Sequence, residues 1–418
     1  MIAARKTFEA RCREATCRSC GRQELRGVLD LGRMPLSDGL LTADDPLPAE
    51  AYYPLEAAFC PNCTLVQILK TVPPEILFGD DYPYYSSFSP ALLAHSRDNA
   101  LALIASRKLN ECSFVVEVAS NDGYMLRNFV ERGIPSLGID PAPGPVAAAR
   151  KIGVETLQEF FGIDLARRLR REGKSADVII ANNVFAHVAD TNGFCAALAI
   201  LLKSDGVAVI EVPYVRDLVD KCEFDTIYHE HLCYFSATSV DRLVRRHGVY
   251  LNRIERLSIH GGSLRLHLEL KDGPDQSVRE LLAEEKQAGV DRFEYYRNFA
   301  RRVRAIRREL KSMLEDLKRR GCSIAAYGAA AKGTILLNYV GAGTRVIDFV
   351  VDRNVHKQGK YMPGVHVPIF EPDRILRDMP DYVLLLPWNF KDEILQQCDS
   401  YRRRGGRFII PIPHPEVV

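Results

Sequence analysis

Thr226-Ile227-Tyr228-His229-Glu230-His231-Leu232-Cys233-Tyr234-Phe235 gathers two imidazoles, a carboxylate and two phenols within a few positions. Such groups are costly to bury unless each finds a partner, and ordinary surface loops rarely concentrate aromatics with imidazoles. Three chemistries suit these residue types: a metal pair, a buried hydrogen-bond network, or an acid–base centre. In an extended chain His229 and His231 point to opposite sides, which disfavours a shared metal. An imidazole titrates near neutrality and can take a proton in a reaction, while a tyrosine hydroxyl or second histidine can donate to a developing oxyanion.

A second group of residues does suit a metal. Cys17 with Cys20 and Cys60 with Cys63 form two C-x2-C pairs. Each pair places two thiolates on one side of a tight turn, and two such turns complete a tetrahedral S4 site for Zn2+. With all valences filled by sulfur no position is open for chemistry, so the site reads as a structural staple. The other seven of the 11 cysteines are scattered. With no signal-peptide-like opening, reduced thiols and a cytoplasmic location are expected.

An α/β core must position the acid–base block. The apolar strand Phe114–Val118 ends in Ala119-Ser120-Asn121-Asp122-Gly123, followed by a helix over Tyr124–Arg132 and a second strand, Ser136–Asp140. This βαβ unit has a small-residue turn that lets a ligand approach the backbone, and an acid placed to accept ribose hydroxyls. The dinucleotide pattern G-x-G-x-x-G is absent, and Glu117 and Asp122 would repel a pyrophosphate. Both facts favour S-adenosylmethionine, a cation without phosphate, over a nicotinamide cofactor. A third strand ends in Asn182-Asn183 and leads to His187; a turn at Lys203–Gly206 then feeds a strand reaching Pro213. Ligands of open α/β sheets bind past the carboxyl ends of the strands, so Ala119, Asn121, Gly123, Asp140, Pro141, Asn182 and Asn183 are the cofactor candidates. Strands over Tyr250–Leu257 and Leu264–Leu270 would close the sheet as a reversed hairpin.

The flanks complete the plan. The linker Asp81–Ser89 is rich in tyrosine and serine; it is either a lid bringing Tyr84 and Ser87 to the cofactor or a strand burying rings between modules. A long helical stretch, Ser277–Arg320, precedes a second βαβ unit with Tyr327-Gly328, Lys332-Gly333-Thr334 and Asp352. The Gly-Lys-Thr order is not a Walker loop, and the segment either holds a phosphate or packs tightly. The fold class is therefore α/β in three parts: a zinc module over 1–80, a Rossmann-like core over 81–272, and a second Rossmann-like domain over 273–418. The 418 residues are 47% hydrophobic and 26% charged with net charge +2, so no global field draws nucleic acid or membrane. The Arg301–Arg308 run reads as a solvated helix face.

These motifs together resemble the S-adenosylmethionine-dependent sugar C-methyltransferases of deoxysugar biosynthesis. The resemblance covers nearly the whole chain. It is carried by both C-x2-C pairs, Tyr-Pro-Tyr-Tyr-Ser-Ser, Glu-Val-Ala-Ser-Asn-Asp-Gly, Asn-Val-Phe-Ala-His-Val, Tyr-His-Glu-His-Leu-x-Tyr-Phe-Ser, His-Gly-Gly-Ser-Leu-Arg and Tyr-Gly-Ala-Ala-Ala-Lys-Gly. Ala119 stands where a glycine is common and Cys233 where a serine is common. The resemblance implies a central class I methyltransferase domain and a C-terminal domain that helps hold a nucleotide-linked 4-keto-deoxysugar, dTDP-linked first, with GDP and CDP as other carriers. It implies methyl transfer to C-3, or C-5 in some relatives. It implies His231 as catalytic base with Glu230, Tyr228 and His187 around the sugar and Tyr82 reaching in from the linker; His260, Ser263, Tyr327, Lys332 and Asp352 fall to the substrate. The chemistry agrees: a neighbouring ketone acidifies the C–H, a base removes it, and the enolate carbon accepts the methyl. A monomer or weak homo-oligomer is expected. Three other readings compete: a zinc-ribbon RNA or protein methyltransferase, a zinc-bearing scaffold, and a nicotinamide oxidoreductase. Near-neutral charge opposes RNA, the acid–base block opposes the scaffold, and the missing glycine fingerprint opposes the oxidoreductase.

Overall fold

The computed structural model describes residues 2–43, 50–77 and 84–418, without the side chains of residues 2–6 and of His260. A helix, Ile2–Glu14, leads into three antiparallel strands: β1 (Arg26–Pro35), β2 (Tyr52–Phe59) and β3 (Val66–Ile68). One cysteine turn precedes β1 and the other joins β2 to β3. Because Arg26 pairs with Phe59, strand register alone brings the two turns side by side.

The central sheet is built from β4 (Val115–Val118), β5 (Ser136–Ile139), β6 (Thr156–Leu157), β7 (Ala176–Asn182) and β8 (Leu202–Pro213), all parallel. Between β8 and the rest of this sheet the chain makes a short strand, β9 (Cys233–Tyr234), then returns as β10 (Tyr250–Leu257) and β11 (Ser263–Glu269). Those last two are antiparallel and extend the sheet beyond β8, giving the order β10-β11-β8-β7-β4-β5-β6. The parallel strands are continuous apolar runs because helices cover both faces; Val115, Val116, Ile179, Ile180, Val209 and Ile210 are all buried. The strand order reverses beside β4, which puts a crevice at the carboxyl ends of β4 and β7.

The structure differs from the local expectations in several places. The helix expected over Tyr124–Arg132 is regular only over Arg127–Val130, because Tyr124, Met125 and Leu126 turn inward and are buried. The turn expected at Lys203–Gly206 is an irregularity within β8, where pairing to β7 shifts between Ala176 and Val178. The long helical stretch is broken into Gln276–Ala288, Phe293–Tyr296 and Phe299–Arg319, the first helix ending at Gly289 in the left-handed region (φ +80°). The Arg-rich face of the last helix is also not wholly solvated. Arg302 donates to the carbonyls of Val219 and Asp220, and Arg307 lies 4.8 Å over the Tyr339 ring.

The C-terminal sheet contains β12 (Ile324–Tyr327), β13 (Val350–Val351), β14 (Ile369–Phe370), β15 (Tyr382–Leu385), β16 (Arg407–Ile410) and β17 (Glu416–Val417). Its order is β14-β13-β12-β15-β16-β17, parallel except for β17. The unexpected strand is β9. It leaves the central domain's order and pairs with β3, becoming the fourth strand of the N-terminal sheet. No helix among the described residues is long and apolar enough to cross a membrane.

Candidate active site

His231 lies between two oxygens that determine its protonation. Nδ1 is 2.9 Å from the Thr226 carbonyl, which can only accept, so Nδ1 carries the proton. In the neutral ring Nε2 then presents its lone pair, and the Tyr228 hydroxyl donates to it at 2.7 Å. His187 completes the group, its ring edge-on to His231 with centroids 4.8 Å apart. Burial pushes His187 down to about 4, so it is neutral near pH 7. The segment is a turn rather than the extended chain expected, closed by the His231 amide on the Tyr228 carbonyl at 3.0 Å. The two histidines still diverge: His229 is buried edge-on to Tyr53, on the side of the zinc module.

Glu230 is buried where the three parts of the chain meet. Burial and the nearby Asp38 push its carboxyl well above the usual range, and Lys357 opposes them. Lys357, itself buried, donates to Asp38 at 3.3 Å and to the Ala329 carbonyl at 2.8 Å. Asp38 and Lys357 carry no signal in the sequence. Neither sits in a motif, and 319 positions separate them.

The cofactor candidates converge at the crevice. Ala119, Asn121 and Gly123 all have positive φ (55°, 48° and 79°), so the loop after β4 is a run of left-handed turns that exposes backbone to a ligand. The Asn121 amide donates to Asp140 Oδ2 at 2.9 Å and the Ala142 amide to Oδ1 at 2.9 Å, across Pro141, which fixes the carboxylate and leaves each oxygen a lone pair. The linker is clamped on this loop. Ser86 donates its amide to Asn121 Oδ1, Asn121 Nδ2 donates to the Tyr84 carbonyl, and Ser87 donates its amide and hydroxyl to Asp122. Asn182 ends β7, and Asn183 follows with φ +55° and its amide on the Glu211 carbonyl.

Among the described residues, two buried acceptors here have no hydrogen-bond partner: Oδ1 of Asp122 and Oδ1 of Asn182. Burial, reinforced by Asp122 and Asp140, pushes the Glu117 carboxyl well above the usual range. A pair of unsatisfied acceptors fits a ligand rich in donors and positive charge. S-adenosylmethionine, with its ammonium, sulfonium and ribose hydroxyls, has that chemistry.

The four cysteine sulfurs lie within 4.8 Å of one another, with Cys17 to Cys63 at 3.4 Å and Cys20 to Cys60 at 3.6 Å. A ZnS4 tetrahedron with bonds of about 2.3 Å needs sulfurs about 3.8 Å apart, so the set fits zinc. The module is bound to the central domain through its first knuckle. Thr191 and Asn192 donate to the Arg18 carbonyl, and Arg246 donates to Ser19.

The remaining candidates are less gathered. Asp352, at the end of β13, accepts from the amides of Ala329 and Asn354, and Ser263 donates to the Ile259 carbonyl at the start of β11. Tyr327 lines a cavity of ≈ 420 Å³ with Arg353, Cys398 and Tyr401. Lys332 donates to Asn389 at 2.7 Å beside the acids Asp225 and Glu223. Tyr82 lies outside the described residues, as does the side chain of His260.

Fold, crevice and cysteine set define an S-adenosylmethionine-dependent methyltransferase carrying a zinc-binding module. Residues 17–78 match a family model described as a zinc binding domain, residues 88–252 a methyltransferase domain, and residues 258–413 a C-methyltransferase C-terminal domain. The C-methyltransferase NovU of Streptomyces niveus is 34% identical over 406 residues, 96% of each chain. The chain belongs to this C-methyltransferase family. The ubiquinone biosynthesis O-methyltransferase of Bartonella quintana (strain Toulouse) is 29% identical over 100 residues, 23% of this chain and 39% of that one. Among solved structures, the magnesium protoporphyrin IX methyltransferase of Synechocystis PCC 6803 with bound SAH gives a TM-score of 0.34 at 15% identity, over 42% of this chain and 82% of that one. At that score the likeness carries no argument.

Proposed function

We propose that this C-methyltransferase methylates C-3, next to the 4-keto group of a nucleotide-linked deoxysugar, with dTDP as the carrier and His231 as the base. One observation carries the reading: the Thr226 carbonyl holds the Nδ1 proton, which leaves Nε2 as the basic nitrogen, beside a phenol. A ketone lowers the acidity barrier of its α-carbon to the range an imidazole can handle. On substrate entry the Tyr228 hydroxyl turns from Nε2 to the ketone oxygen, which frees the base and stabilises the enolate. His187, neutral and 4.8 Å away by ring centroids, supports the same oxygen. The imidazolium that forms keeps its Nδ1 proton on the Thr226 carbonyl, with Glu230 next to it in the chain. S-adenosylmethionine, held by Asp140 and the loop after β4, supplies an electrophilic methyl with its own leaving group. Nothing else is required of a metal, consistent with a zinc whose four positions are all sulfur. The protein acts in the cytoplasm as a monomer or weak homo-oligomer.

The test is proton exchange. A dTDP-linked 4-keto-6-deoxysugar incubated with the enzyme in deuterated water should acquire deuterium at C-3, and His231→Ala should abolish both exchange and methylation. Full exchange in that variant sinks the base assignment. Label at C-5 instead moves the reaction to that carbon, and turnover only with GDP or CDP sugars changes the carrier.

A further inference from the structure

The short turn Phe224–Thr226 connects two regions that are far apart in sequence. Its last carbonyl, that of Thr226, receives the Nδ1 proton of His231 at 2.9 Å. Its first two residues are held by the C-terminal domain. Phe224 is buried against Tyr339, with ring centroids 5.3 Å apart, on the helix Ala331–Val340 that follows β12. Asp225, fully buried, accepts at Oδ2 from the indole N–H of Trp388 at 2.8 Å. The Lys332 ammonium lies 4.9 Å from the centre of the Trp388 ring and donates to the next residue, Asn389.

A carboxylate at this depth needs donors and a nearby cation, or it would neutralise or unfold the turn. Trp388 supplies the donor and Lys332 the charge. The arrangement is demanding for a surface between domains, where apolar packing alone would be cheaper. What it adds is direction. The indole N–H fixes Asp225 at one point, the backbone carries that position to Thr226, and the Thr226 carbonyl sets the ring orientation and tautomer of His231.

We propose that Trp388 and Asp225 are positioning residues for methyl transfer, through which the C-terminal domain holds the catalytic imidazole in its Nδ1–H tautomer. The proposal rests on the reading of His231 as the base. Without the Trp388–Asp225 bond the turn relaxes, and a shift of about 1 Å carries the Thr226 carbonyl out of hydrogen-bond range. The imidazole then samples both tautomers and other orientations, and only some of them present Nε2 to the substrate carbon.

Trp388→Phe keeps an aromatic ring and removes the N–H, along with the part of the indole that carries it. Measured with a dTDP-linked 4-keto-6-deoxysugar, its kcat should fall about tenfold or more, with both KM values within about twofold of the parent. Solvent exchange at the substrate carbon should slow in step with kcat. Asp225→Leu should show the same split, and the double variant should lose no more than either single one. Asp225→Asn, which still offers the indole an acceptor, should recover most of the turnover lost in Asp225→Leu. Losses that add in full overturn the proposal, as does a raised KM with kcat intact, which would make Trp388 a substrate contact. A lowered melting temperature with unchanged kcat also overturns it, since that is what a merely structural contact gives. Should Asp225→Leu fail to fold, the kcat–KM split of Trp388→Phe decides alone. If His231→Ala loses exchange while Trp388→Phe keeps full turnover, positioning fails and the base assignment stands; if His231→Ala keeps exchange, the base assignment itself fails.

Discussion

The amide of Ile68 donates to the carbonyl of Leu232 at 3.0 Å, joining the zinc module to the residue that follows His231. Ile68 ends the strand that begins three residues after Cys63, and the Leu232 amide in turn donates to Ala186, next to His187, at 2.7 Å. The zinc knuckle is therefore part of the frame around the acid–base block. It does more than stabilise a remote appendage.

Zinc removal should accordingly damage catalysis before cofactor binding. Metal analysis should find one zinc per chain, and Cys60→Ser should lose it. Because β3 and β9 share a sheet, the depleted protein should lose at least about tenfold in kcat while its affinity for S-adenosylmethionine changes by less than about threefold. Calorimetry beside turnover measurements checks this; a parallel loss of both would make the metal a general folding staple.

Tyr228→Phe tests the phenol beside His231. Deleting a donor to a developing oxyanion usually costs about a hundredfold in rate. The variant should lose about that much in kcat and keep its melting temperature, since the ring packing is retained. A loss confined to KM would place the hydroxyl in ground-state binding instead.

The cluster around Trp388 should give the fold a measurable pH dependence. Burial pushes Glu223 up to about 7 and Asp225 up to about 6, with Lys332 opposing in both. A carboxyl raised in the folded state contributes stability that is fully present below its unfolded pKa and is lost as pH rises through its folded pKa. For Glu223 that window runs from the ordinary value of 4.5 up to about 7. The contribution lost across it is on the order of 3 kcal/mol at most. Glu223→Gln should flatten denaturation midpoints between pH 5 and pH 7; an unchanged slope would show that Glu223 does not titrate there.

Ala119→Gly should raise stability. Ala119 has φ +55°, in the left-handed region where a β-carbon costs about 1–2 kcal/mol and glycine costs less. Part of that gain is offset by the greater freedom of glycine in the unfolded chain, which leaves a net of about 1 kcal/mol. Thermal unfolding of the variant measures it, and a lowered midpoint would mean that the methyl group packs usefully.

Much of the site was legible because its parts are local. The cysteine turns, the loop after β4, the Asp140 acid and the Tyr228–His231 block each lie within a few residues, and each residue type has few structural reasons to occur in such a pattern. The local signal misleads where packing outweighs propensity. Tyr124–Leu126 gave up helix to bury three large side chains, and Gly289 ended a helix whose apolar spacing continued on both sides. It also could not reach single residues. Asp38, Lys357 and Trp388 carry no neighbouring signal, and no spacing rule links Trp388 to Asp225 across 163 positions.

By itself the sequence determined the inventory: a sulfur set for zinc, an α/β crevice suited to a phosphate-free cation, and an imidazole beside phenols and a carboxylate. These follow from residue chemistry over short spacings, where chain geometry leaves few alternatives. Only the tertiary structure decided how the inventory is held. It paired β9 with β3, clamped Ser86 and Ser87 onto Asn121 and Asp122, and faced Nδ1 of His231 with a carbonyl whose turn is gripped from another domain. Protonation and orientation depend on contacts at a few ångströms, and the ones that fix them from outside the block join segments 35 to 163 positions apart, a proximity that exists only once the chain has packed.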